Sequence, residues 1–423
     1  MNSFVIQGGR RLEGQIRVSG AKNSILPIMA ASLLTRGECV IRSTPDLDDV
    51  GTMVRILTNL GAKIRFGSEG DGGRRYIRIT ADVLTGYEIS AELMGDMRSS
   101  IVLMGPLLGR LGKFRVSKPG GCSIGSRPIN FHIRGLEMLG ARIRDEHGYI
   151  DGEAGSLVGR DIHLDFPSVT ATENIMMAAV YAEGHTVIRN AAREPEVVDL
   201  QNFLNAMGAR VAGAGLDTVR ITGTKTLHGV EHTVIPDRIE TGTYIAAAAI
   251  TGGDVVLTDA TPEHADAVIA KFREAGVTIE TGRDFIRVRP QTALRPTDFK
   301  TMPYPGFPTD MQPQAMAMMC FARGTSLITE NIFDKRFAHA DELLRMGAAI
   351  EVGSRLAVVR GSGRLSGARV RATDLRAGAA LVLAGLGAQG TTTVEGIGHI
   401  ERGYENMEGK LRGAGADIER VEG

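Results

Sequence analysis

Six times along the chain, an amphipathic helical stretch ends in glycine and small apolar residues and runs at once into a strand-like segment. The copies lie at 56–64, 136–143, 203–211, 272–279, 343–350 and 411–418. Their shared glycines, Gly61, Gly140, Gly208, Gly276, Gly347 and Gly415, are 68 to 79 residues apart. Each stands where a helix C-terminal cap calls for positive φ, which only glycine adopts cheaply. Upstream of every copy comes a second helical stretch, apolar nearly all round and running to a glycine: 25–37, 101–112, 175–184, 244–253, 311–324 and 379–390. A helix without a polar face has to be buried, whereas an amphipathic one covers a surface.

The chain therefore reads as six βαβαβ-type units of about 70 residues, longer than most solenoid repeats. Six such units divide into two groups of three, and 423 residues exceed what one ordinary core organises. The expected fold is α/β, with two inside-out barrel-like domains, each placing buried helices at the centre and sheets outside. The expected boundaries give a discontinuous domain, 1–21 plus 230–423, and an inserted domain, 22–229. The N-terminal strand-like stretch around Phe4 is expected to return to the discontinuous domain.

Charge is balanced at 49 basic and 49 acidic residues, so no global field points to nucleic acid or to an anionic membrane. Any anion site has to be local. Polar residues precede each buried helix, and Ser24, Thr309, Asp310 and Asp374 read there either as N-caps or as parts of a site. Helix N-termini carry partial positive charge and free N–H groups. Lys22, Arg98, Arg127, Arg336, Arg376 and Arg402 fall near helix starts or in glycine-rich loops. A guanidinium set at equivalent repeat positions suits a small polyanion carrying carboxylate or phosphate.

Three cysteines occur, with no paired spacing. Cys39 lies in a strand-like run and Cys320 in a helical one, and both read as buried packing residues. Cys122 differs, because it sits between Lys118 and Arg127 in a loop containing Gly120, Gly121 and Gly125. Nearby cations favour thiolate over thiol. No metal-ligand spacing, Walker loop, HExxH, dinucleotide fingerprint or GxSxG is found. The N-terminus carries no signal segment and no apolar run approaches the ~20 residues that span a bilayer, so a cytoplasmic protein is expected.

At Lys22-Asn23, at 120–128 around Cys122 and Arg127, at 236–242, at 306–310 and at 401–404, the chain resembles the enolpyruvyl transferases, most closely the UDP-N-acetylglucosamine 1-carboxyvinyltransferase family. The resemblance covers essentially the whole chain and several separate motifs in order. It implies a fold of two inside-out α/β domains closing over a cleft. It also implies transfer of the enolpyruvyl group of phosphoenolpyruvate to the sugar 3-hydroxyl with release of phosphate, the committed step of peptidoglycan synthesis. No cofactor, metal, nucleic acid, membrane or obligate protein partner is implied.

By the resemblance Cys122 is the proton donor, open to a 2-(S-cysteinyl)pyruvate adduct and to the epoxide fosfomycin, and Asp310 is the base. Lys22, Asn23, Arg127 and Arg402 hold phosphoenolpyruvate, with Arg98, Arg336, Asp374 and Arg376 completing the charged shell. Lys22 and Arg402 also steady the charge that builds during addition. The nucleotide sugar falls to Asn23, Arg98, Arg127, Pro128, Ile129, Asn130, Phe131, Phe166, Pro167, Ser168, Val169, Asp310 and Ile332. Asn130 stands where many members have aspartate, and Phe166 and Thr170 also depart from the family pattern. Three alternatives stay open at this point. They are the shikimate-pathway enolpyruvyl transferase, a non-catalytic nucleotide-sugar-binding paralogue, and a thiol redox sensor built on Cys122.

Overall fold

The computed structural model describes residues 2–69, 73–118, 125 and 129–422. Its contacts divide the chain into two compact units, one of residues 2–19 with 236–422 and the other of 20–118 with 129–235. Among the described residues, each unit contains three four-stranded sheets, and all six sheets share one strand order. In one of them Asp161–His163 lies parallel to His185–Arg189, which pairs antiparallel with Thr218–Thr222, which in turn pairs antiparallel with Arg210–Ala212.

The two passages of the chain from one unit to the other leave a signature in this pattern. Glu13–Arg17 precedes the first buried helix but pairs in parallel with Asp254–Thr258. Glu231–Thr233 precedes the fourth buried helix but pairs in parallel with Glu38–Arg42. Each unit thus takes as an outer strand the one that the simple repeat would have given to its neighbour. The N-terminal Ser3–Gln7 completes the sixth sheet, antiparallel between Thr391–Glu395 and Asp417–Val421.

All six Gly-Ala-type glycines have positive φ, from 85° at Gly347 to 106° at Gly140. In every copy the next residue donates its N–H five residues back, as from Ala62 to Leu57 and from Val277 to Phe272, at 2.9 to 3.1 Å. This Schellman closure satisfies the last helical carbonyls and turns the chain into the strand. The sequence period of 68 to 79 residues is therefore the period of one backbone hydrogen-bond motif.

The apolar helix of each repeat is buried over most of its length. Ile175, Met176 and Met177 in Val169–Ala179 are each 0% exposed, and full burial of such a side chain stabilises by about 1.5–3 kcal/mol. These helices stop earlier than expected. Val169–Ala179, Gln312–Cys320 and Leu375–Gly387 end before Gly184, Gly324 and Gly390, of which Gly184 and Gly390 directly precede the next strand and Gly324 lies inside it. Cys39 and Cys320 are buried at 0% and 2% exposure, and desolvation pushes their thiols up to about 11 and about 12. Among the described residues, no helix is long and apolar enough to cross a membrane.

Candidate active site

Asp310 belongs to the 3-10 turn Thr309–Met311, which leads into the buried helix Gln312–Cys320. Arg336 Nη2 donates to its Oδ1 at 3.0 Å, and Arg376 donates to its Oδ2 from Nε at 3.1 Å and from Nη2 at 3.0 Å. Both guanidinium side chains are 3% exposed, whereas Asp310 keeps 27% of its side chain accessible. Two cations are thus locked on the carboxylate, which still faces solvent. Each oxygen is engaged, so any proton that reaches the carboxylate has to share or displace a guanidinium contact.

Arg376 is presented by the helix Leu375–Gly387, whose start is fixed by Asp374. The Asp374 carboxylate accepts from the backbone N–H groups of Arg376 and Ala377 at 2.9 and 3.0 Å. Desolvation opposes the Arg376 charge, but Tyr404, Asp310 and Asp237 outweigh it and hold the guanidinium above its ordinary pKa. The Tyr404 ring centroid lies 5.3 Å from Arg376 Cζ, and its hydroxyl bonds Thr243 Oγ1 at 2.9 Å. His339, beside Arg336 and Asp374, is buried neutral, with desolvation pulling its pKa down to about 4. Arg402 follows the short helix Gly398–Glu401 and is half-buried.

In the other unit, Lys22 opens the helix Lys22–Ala31 at 8% exposure, and its Nζ lies 2.7 Å from Asp49 Oδ2. Asn23 is the next residue of that helix. Arg98 opens the 3-10 helix Arg98–Leu103. Ile129, Asn130 and Phe131 form the start of Asn130–Met138, while Phe166, Pro167, Ser168 and Val169 lead into Val169–Ala179. Phe166 is 40% exposed.

These two helix starts are tied together by His132, which is 3% exposed. Asn174 Oδ1 accepts from the Gly105 N–H at 2.6 Å, which fixes its amide orientation. Its Nδ2 then donates to Ile101 O at 2.8 Å and to His132 Nδ1 at 2.7 Å. His132 Nδ1 is therefore an acceptor, and Nε2–H donates to Thr170 Oγ1 at 3.2 Å. Burial, with the Arg98 charge adding to it, pulls the imidazole pKa down to about 3, so the ring is neutral.

Of the four residues read as possible caps, only Asp374 caps a helix. The Ser24 hydroxyl donates to Asp199, that of Thr309 to Glu330, and Asp310 engages the two arginines. Cys122, Arg127 and Pro128 lie outside the described residues. Gly125 in the same loop has a φ of +121°. Asp49, His132 and Asn174 were not singled out from sequence, because each acts through a partner far along the chain and no local spacing marks it. Among the described residues, no group of three or more His, Cys, Asp or Glu is placed to hold a metal ion.

Residues 6–411 match the family model described as EPSP synthase (3-phosphoshikimate 1-carboxyvinyltransferase). A UDP-N-acetylglucosamine 1-carboxyvinyltransferase 1 of Symbiobacterium thermophilum is 60% identical, covering 99% of this chain and 95% of the relative. One of Carboxydothermus hydrogenoformans is 52% identical over 100% of this chain and 99% of its own. Among solved structures, the enolpyruvyl transferase NikO from Streptomyces tendae superposes with a TM-score of 0.87 at 28% identity, covering 99% of each chain. An EPSP synthase from Acinetobacter baumannii, at 20% identity with full coverage of both chains and a TM-score of 0.76, shares the fold. The architecture is that of the enolpyruvyl transferases. The chain belongs to the EPSP synthase family, in which its near relatives carry the name UDP-N-acetylglucosamine 1-carboxyvinyltransferase.

Proposed function

We propose that this protein transfers the enolpyruvyl group of phosphoenolpyruvate to the 3-hydroxyl of UDP-N-acetylglucosamine, releasing phosphate, as the first committed step of peptidoglycan synthesis in the cytoplasm. The observation that carries this reading is the graded likeness. Identity is 60% and 52% across the chain to relatives of that name, against 20% to an EPSP synthase of the same fold. The shikimate-pathway reading loses on that contrast, and the Cys122 loop also argues against it.

Addition joins the sugar oxygen to C2 of phosphoenolpyruvate, while the Cys122 thiol gives a proton to the C3 methylene and Asp310 takes the hydroxyl proton. Elimination then breaks the C2–O bond to phosphate, phosphate leaves with the electron pair and takes up the proton that Asp310 had accepted, and return of a C3 proton to the Cys122 thiolate restores the double bond. Arg336 and Arg376 orient Asp310, and Arg336 also takes part in holding phosphoenolpyruvate. Lys22, Asn23, Arg98, Arg127 and Arg402 hold its carboxylate and phosphate groups, steadying the charge that develops. Asn23, Arg98, Arg127, Pro128, Ile129, Asn130, Phe131, Phe166, Pro167, Ser168, Val169, Asp310 and Ile332 take the nucleotide sugar. The roles of Cys122, Arg127 and Pro128 rest on the sequence resemblance alone.

Phosphate release from phosphoenolpyruvate, measured with and without UDP-N-acetylglucosamine in wild type and Cys122→Ala, tests the reading. Release is expected only with both substrates and an intact thiol. Nucleotide-sugar binding without release by the wild type would instead identify a non-catalytic paralogue, and thiol reactivity indifferent to both substrates would identify a redox sensor.

A further inference from the structure

Glu330 directly follows the strand Arg323–Thr329 and is 0% exposed. A carboxylate is costly to bury unless donors surround it, and here four do so. Its Oε1 accepts from the Thr301 hydroxyl at 2.9 Å, the Ile332 N–H at 2.8 Å and the Phe333 N–H at 3.1 Å. Its Oε2 accepts from the Thr309 hydroxyl at 3.0 Å. Thr301 Oγ1 in turn accepts from the Asn331 N–H at 2.9 Å, and the Glu330 N–H donates to Arg355 O at 2.9 Å.

The four donors come from three separate stretches of chain, and two of those stretches carry proposed site residues. Thr309 is the residue before Asp310, and Ile332 is among the proposed nucleotide-sugar contacts. We infer that Glu330 is a positioning residue, which locks the turn bearing Asp310 to the segment bearing Ile332 and so sets the base and the sugar contact in one rigid geometry. This rests on the roles proposed above for Asp310 and Ile332. Glu330 itself touches neither substrate, being enclosed by its donors.

Thr309 offers the sharper test, because Thr309→Val removes only the hydroxyl that reaches Oε2. In steady-state phosphate release, Thr309→Val is expected to lower kcat by about tenfold to a hundredfold, the scale of a small misplacement of a reacting group. The KM for UDP-N-acetylglucosamine is expected to rise, with the KM for phosphoenolpyruvate unmoved and the thermal midpoint lowered by a few degrees, because Oε2 loses its donor. Thr309→Ser keeps the hydroxyl and is expected to recover most of the activity. Glu330→Gln is expected to do likewise, since its carbonyl can still accept from the Ile332 and Phe333 N–H groups while its amide donates to Thr309. Wild-type kcat and KM in Thr309→Val, or an equal loss in Thr309→Ser, would overturn the positioning role and leave the enzyme assignment standing. Absence of release by the wild type itself would overturn the assignment and this inference with it.

Discussion

The two units are cut from one repeat, yet they fill the starts of their buried helices with different chemistry. In the unit of 236–422, two buried guanidiniums converge on the partly exposed carboxylate of Asp310. The unit of 20–235 holds instead a neutral chain of hydrogen bonds, Asn174 to His132 to Thr170, and, at the start of another buried helix, a Lys22–Asp49 pair. The repeat therefore supplies scaffold and helix direction, while the chemistry lies in side chains that do not repeat. Charged groups on a carboxylate suit proton traffic at a hydroxyl. Neutral donors and acceptors that join two helix starts suit the holding of a nucleotide sugar in one shape.

Breaking the charged side should have the largest effect. Arg376→Met removes two of the three guanidinium bonds to Asp310 and leaves Tyr404 and Asp237 facing an apolar chain. Loss of one member of a buried ionic set typically costs 3–5 kcal/mol, and because Asp310 retains Arg336 and some solvent, about 3 kcal/mol is expected. Urea unfolding gives that number, and phosphate release should fall to background. Arg376→Lys should regain part of the stability but little of the turnover, because an ammonium cannot bond Oδ2 from two nitrogens.

The neutral side should respond less. His132→Phe deprives Thr170 and Asn174 of a partner and is expected to cost about 1–3 kcal/mol, with a rise in the Kd for UDP-N-acetylglucosamine. The matching histidine of the other unit, His339, makes no hydrogen bond of good geometry through either ring nitrogen among the described residues. His339→Phe should therefore change stability by less than His132→Phe. Both imidazoles titrate lower when folded, near 3 for His132 and near 4 for His339, against 6.5 in the unfolded chain. The unfolded chain binds those protons first as pH falls, so their contribution is complete above about pH 6.5 and drains away toward pH 4 and below. Urea midpoints at pH 7 and pH 5 should differ less in either variant than in wild type. An unchanged pH dependence would mean that other groups govern acid lability.

How far the sequence could be read follows from how local each feature is. The Gly-Ala copies are local and periodic, so the sixfold rhythm and the positive φ at Gly347 or Gly415 were visible without coordinates. The partners of the two exchanged outer strands were not, because a βαβ pattern does not say which strand Glu13–Arg17 or Glu231–Thr233 lies against. The cationic set was legible as a set, but not its pairing, since Arg376 and Asp310 lie 66 residues apart. Two members of that set, Arg336 and Arg376, are bonded to the Asp310 carboxylate of the same unit. Glu330 left no trace at all, because its donors lie 21 and 29 residues upstream and at two backbone N–H groups that any residue supplies.

The smallest effect concerns the repeat itself, where one motif meets different surroundings. At Gly347 an added Cβ would have nothing within 4 Å, so Gly347→Ala incurs only the backbone cost of a φ of +85°. That left-handed conformation costs an L-residue roughly 1–2 kcal/mol. Gly61 occupies the equivalent position in the other unit at φ +103°, but its Cβ would lie 2.8 Å from Thr85 Oγ1, 2.9 Å from Thr85 N and 3.0 Å from Val83 O. Two of those atoms are backbone and cannot rotate away, so Gly61→Ala should cost about 1 kcal/mol more than Gly347→Ala, within the usual range for overpacking. Parallel denaturation of the two variants reads the difference directly. Equal losses would mean that the turn at 83–85 yields freely, and that the six copies of the cap are equivalent in energy as well as in backbone geometry.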